Sequence, residues 1–111
     1  QPFAFKLMQN FKKIYETLNS ADHVKEIQLY HQDRLHGVIK SKPGSMGSIK
    51  VYNYLYETFG VINSDAAMEG IDLYAEHTED AQNNPGKHPN IDRLLDVIDS
   101  DITLQVKIIK N

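Results

Sequence analysis

Cysteine is missing from this chain. Its absence excludes a disulfide framework, a thiolate nucleophile and a cysteine zinc site. Basic charge is also scarce: 12 Lys and Arg stand against 15 Asp and Glu, a net charge of −3. Binding to DNA or RNA needs clustered cations that displace counterions. No such stripe is present, so nucleic acid is not an expected partner. Nor is there a basic amphipathic helix of the membrane-surface kind. No apolar run approaches the ~18 residues of a membrane-spanning helix, and the mean hydropathy is −0.48. A positively charged start followed by an apolar stretch, the mark of a secretory leader, is likewise missing.

What is present is an ordinary globular composition, 41% hydrophobic and 24% charged over 111 residues. A chain of this size can bury one core without metal or disulfide staples. Repeats, low-complexity tracts and long linkers are lacking, so residues 1–111 read as a single domain. A cytoplasmic location is the expectation.

Apolar spacing predicts the elements. Phe5, Met8, Phe11, Tyr15 and Leu18 fall on one stripe of a helix over 5–18. Val24 to His31 alternates as a strand. A turn near Gln32-Asp33-Arg34 leads to a second strand over 35–40, with a bulge at Gly37, and the pair reads as an antiparallel hairpin. Ile49, Tyr52, Leu55, Tyr56 and Phe59 form the strongest helical stripe, ended by Gly60 in a left-handed conformation. Ser64 is the expected cap of a third helix running over 65–81, and Asn83-Asn84-Pro85-Gly86 ends it. Asn90 is the expected cap of a fourth helix with Ile91, Leu94, Leu95 and Ile98 inward. Ile102, Leu104, Val106 and Ile108 alternate as a last strand. The order is α-β-β-α-α-α-β. The fold class is α+β: a small, three-stranded, mostly antiparallel sheet packed on one face against helices.

Two stretches carry chemistry. In Lys42-Pro43-Gly44-Ser45-Met46-Gly47-Ser48, two glycines open directly into a helix. Backbone N–H groups there can turn to one point, and the helix start adds partial positive charge. Lys42, Gly44, Ser45, Gly47 and Ser48 are therefore candidate anion ligands. The spacing is neither that of a P-loop nor that of a dinucleotide fingerprint. Read structurally, Pro43-Gly44 fits the centre of a type II turn and Ser48 caps the helix. The second stretch is Glu76-His77-Thr78-Glu79-Asp80, followed by His88-Pro89-Asn90-Ile91-Asp92. At ~100° per residue, Glu76 and Asp80 project about 40° apart and His77 about 60° from Asp80. With His88 returning alongside, Glu76, His77, Asp80 and His88 make a candidate metal set or acid–base pair. The plain alternative is the polar face of a surface helix.

These two blocks, taken with Val51-Tyr52 and Arg93-Leu94-Leu95, resemble a family of small bacterial proteins known only as a domain of unknown function. The resemblance runs from the first strand to the last. It implies a bacterial origin and carries no catalytic residue over.

The leading expectation is a non-enzymatic binding or interaction module, for a small anionic ligand or a protein partner, with the two blocks facing each other. A small metal-dependent or hydrolytic enzyme using Glu76, His77, Asp80 and His88 is the rival. A homodimer is the third reading, suggested by Tyr54, Met68 and Leu73 lying off their helical stripes. No cofactor is assigned.

Overall fold

The computed structural model describes residues 10–111. The part of the first predicted helix that falls on residues 5–9 lies outside them. In chain order the elements are α1 (Phe11–Thr17), β1 (Val24–His31), β2 (Arg34–Lys40), α2 (Met46–Phe59), α3 (Ser64–Leu73), α4 (Glu76–Asn83), α5 (Pro89–Ser100) and β3 (Gln105–Lys110). The class is α+β with an open antiparallel sheet.

The hairpin forms as the sequence predicts. Gln32 and Asp33 both take positive φ, 49° and 67°, the mark of a two-residue turn whose twist matches that of its strands. Leu29 faces Gly37 while Tyr30 faces Leu35, so His36 is the extra residue of a bulge beside Gly37. β1 is the central strand, flanked by β2 on one side and β3 on the other, both antiparallel. Ile62 and Leu104 form a further antiparallel bridge through two backbone hydrogen bonds of 2.9 and 2.8 Å. This adds a fourth, one-residue strand, and the expected count of three is one short. A lone isoleucine has no alternation to betray it.

Helices cover one face of the sheet. Val24, Ile27, Leu29 and Ile39 meet Ile49, Tyr52 and Leu55 of α2, with Ile91, Leu94 and Val97 of α5 in the same core. Each such aliphatic side chain contributes about 1.5–3 kcal/mol on burial. α2 ends at Gly60, whose φ of 78° lets its N–H close on Tyr56 O.

The long helix expected over 65–81 is two helices. The chain breaks at Tyr74-Ala75, and Ala75 takes a φ of 52°. With ψ at −120° this is a sparsely populated backbone region for alanine, at a cost of about 1–3 kcal/mol, so tertiary bonds must hold it there. Tyr74 is buried and its hydroxyl donates to Ser48 Oγ at 2.7 Å. Ala75 N bonds Asp72 O, and the Thr78 hydroxyl donates to Ile71 O at 2.6 Å, taking the acceptor that a continuous helix would use. The observed order is thus α-β-β-α-α-α-α-β.

Three expected caps move by a residue or more. Asn63, not Ser64, caps α3, its side chain accepting from Ala66 N. α2 starts at Met46, which places Ser48 inside the helix. α5 starts at Pro89, with His88 at the cap position and Asn90 in the first turn. Of the off-stripe residues, Met68 is 55% exposed, while Tyr54 is half-buried and donates to Glu69.

Candidate functional site

The start of α2 is built by a tight turn. Ser45 N bonds Lys42 O at 2.9 Å, with Gly44 at φ 93° in the third position. That is the type II turn which Pro43-Gly44 predicts. It delivers Met46, Gly47 and Ser48 as the first turn of α2. Ser45 makes no side-chain capping bond, and among the described residues the N–H groups of Met46, Gly47 and Ser48 find no acceptor.

The opposite wall is held by Tyr52. Its buried hydroxyl donates to Asn90 O at 2.6 Å and accepts from Arg93 Nη1 at 3.1 Å, while the same Nη1 donates to Asn90 Oδ1 at 2.9 Å. The first turn of α5 is thereby fixed against α2. Its cap position, His88, also lacks a side-chain capping bond. Burial pushes the Tyr52 hydroxyl up to about 12, against the pull of the Arg93 charge.

Between these helix starts lies a cleft of about 390 Å³. Gly44, Met46, Gly47 and Ser48 line one side; His77, Lys87 and His88 line the other, with Pro89, Asn90 and Ile91. Phe11 and Tyr74 make the aromatic part of the lining, their rings stacked at 5.7 Å and 11°. His77 meets the edge of Phe11 at 5.1 Å and lies 5.7 Å from the His88 ring. Burial, then proximity to Tyr52, raises the Tyr74 hydroxyl far above the usual phenol range.

The two sequence stretches therefore meet. Gly44, Gly47, Ser48, His77 and His88 share one cleft. Lys42 is exposed and lies outside its lining, as does half-buried Ser45, which forms the turn. Glu76 and Asp80 are also outside it. Glu76 Oε1 accepts from Phe11 N at 2.8 Å, so it fixes the start of α1 and sets Phe11 in the cleft. Asp80 Oδ2 takes His88 Nε2 at 2.6 Å and Lys87 Nζ at 2.9 Å. Those bonds, His88 first, hold the Asp80 carboxyl down at about 2. An ionised carboxylate accepts, so His88 Nε2 carries the proton. The four residues expected as a metal set do not gather: among the described residues no group of three or more His, Cys, Asp or Glu is placed to hold a metal. The physical reason is that Glu76 is committed to a backbone N–H and Asp80 to His88 and Lys87.

Phe11, Tyr74 and Lys87 are the cleft residues that lie outside both sequence stretches. Tyr74 reads from its spacing as core, which it is; nothing in its spacing shows that its hydroxyl ends against Ser48. Lys87 adjoins His88 in a loop and gives no periodic signal.

The fold and the cleft define a mixed α+β protein with an open antiparallel sheet and two uncapped helix starts around one depression. The chain belongs to the family DUF2322, described as an uncharacterized protein conserved in bacteria, which it matches over residues 11–108. This bears out the resemblance carried by the glycine and acidic–histidine blocks. No curated protein and no solved structure matches the chain.

Proposed function

We propose that the protein is a binding module for a small anion, a phosphate or a carboxylate, held in the cleft between α2 and α5. One observation carries this reading: the first turns of two helices without side-chain caps line the same depression. Among the described residues the start of α2 presents three unpaired N–H groups and that of α5 one, Asn90 N, since Pro89 has none and Ile91 N bonds His88 O. With the partial positive charge of both helix starts they favour an anion over water. Lys87 adds a formal charge at the rim, and it can turn from Asp80 to a ligand because it is 60% exposed. The Phe11 and Tyr74 rings give an apolar surface for whatever carries the anionic group. No side-chain arrangement in the cleft demands a chemical step, and binding is sufficient to account for its features.

The test is an amide NMR titration with inorganic phosphate and, separately, succinate, at fixed ionic strength. Saturable shifts at Met46, Gly47, Ser48 and Asn90 are expected, weakened several-fold in Lys87→Gln. Absence of saturable movement at these amides up to ~10 mM, where even a millimolar binder would be mostly occupied, overturns the proposal.

A further inference from the structure

Successive residues of a strand turn their N–H and C=O groups to alternate edges. Leu104 spends its pair on Ile62, and Asn111 N returns to His23 O at the start of β1. Between those two fixed points, Val106, Ile108 and Lys110 direct their backbone groups away from β1. Among the described residues nothing bonds to that edge after Leu104.

A groove of about 430 Å³ runs beside this edge, between β3 and α2. Half-buried Val106 and Ile108 line its β3 side, and Tyr56, 38% exposed, lines its α2 side. Asn53 of α2 is also in the lining. It is 2% exposed, and among the described residues its Nδ2 finds no hydrogen-bond acceptor. Leaving a buried amide unpaired is costly, and an apolar residue would serve this helix position better. The orphan donor marks a place for an acceptor that comes from outside.

We propose that this groove receives an extended peptide segment rich in acidic side chains, which adds a strand along the outer edge of β3. A peptide of that kind satisfies the edge groups of Val106 and Ile108 by strand addition, and with a turn of the Asn53 side chain towards the groove it offers a backbone carbonyl to Nδ2. Charge selects the occupant. Lys107 and Lys110 line the groove with His23, against Glu57 alone. The same two lysines disfavour a second copy of the chain, because two β3 edges side by side would bring four ammonium groups together. Lysine on an edge strand is a known guard against such self-pairing.

The experiment uses the whole chain with two end-blocked peptides, Glu-Val-Glu-Val-Glu-Val and Lys-Val-Lys-Val-Lys-Val, and reads amide hydrogen exchange and the Asn53 side-chain NH₂ resonances. The acidic peptide is expected to slow exchange at Val106 and Ile108 and to shift Asn53 Nδ2; the basic one is not. Lys110→Glu should weaken the acidic peptide by about tenfold. Asn53→Leu should weaken it while leaving the unfolding midpoint unchanged or higher. Should Asn53→Leu fail to fold, Lys110→Glu and the peptide pair carry the test. Unchanged exchange with millimolar acidic peptide, equal protection by both peptides, or protection that follows protein concentration without peptide each overturns the proposal.

Discussion

The Tyr74–Ser48 hydrogen bond ties the kink between α3 and α4 to the first turn of α2, and its two ends are unequal. Tyr74 is only 4% exposed, while Ser48 is half-buried at the cleft. Tyr74→Phe removes the donor and leaves Ser48 Oγ free to meet water. Its cost is that of one net hydrogen bond, about 1 kcal/mol. Ser48→Ala instead strands a buried phenol hydroxyl, at about 1–3 kcal/mol, offset by about 0.5 kcal/mol of helix propensity. The net cost of Ser48→Ala is about 0.5–2.5 kcal/mol, and at the middle of that range it is the more damaging single change. In its background, Tyr74→Phe removes the stranded group and becomes neutral or stabilising. The double-mutant cycle should return a coupling of about 1 kcal/mol or more. Urea unfolding followed by far-ultraviolet circular dichroism measures all four proteins. A Ser48→Ala cost below that of Tyr74→Phe, or additive effects, would refute the account of this bond and of the kink that depends on it.

Two further predictions concern titration and packing. Stability should fall at both ends of the pH range. Tyr52 and Tyr74 have raised pKa values in the fold, so the unfolded chain loses their protons first; stability holds below about pH 10 and drops as pH climbs towards 12, by about 1.4 kcal/mol per pH unit for each tyrosine. Asp80 is depressed to about 2, so its contribution is present above its ordinary 3.8 and is lost as pH falls through 2; Asp80→Asn should flatten the acid limb, and Tyr52→Phe the alkaline one, in thermal melts across pH. The third concerns α3: a Cβ on Gly70 would lie 2.6 Å from Leu94 Cδ1 and 2.9 Å from Leu55 Cδ1. Gly70→Ala should thus lose about 1–3 kcal/mol by overpacking, more than the ~1 kcal/mol of helix propensity it gains, and a rise in Tm would contradict it.

Much of the architecture was legible because it is local. The alternation of Val24 to His31 marks β1 to the residue, and the Ile49–Tyr52–Leu55 stripe marks the buried face of α2. Pro43-Gly44 specified its turn, and Gly60 its helix end, since a positive φ is cheap for glycine and for little else. The α3–α4 break was not legible. Its φ sits on an alanine, and the bonds that hold it come from Ser48 and Thr78. The Ile62–Leu104 bridge was hidden for the same reason: a single residue carries no period.

The candidate site divides along that line. Sequence alone named the glycine loop and the acidic–histidine block, because turn formers and clustered titratable groups are visible without coordinates. Which members face one another was decided by packing. Glu76 turned to Phe11 N, Asp80 to His88 and Lys87, and Tyr52 reached Asn90 from another helix. Each of these partners lies several residues to several dozen away along the chain, and only the closing of α1, α2, α4 and α5 on one core brings them within hydrogen-bonding reach.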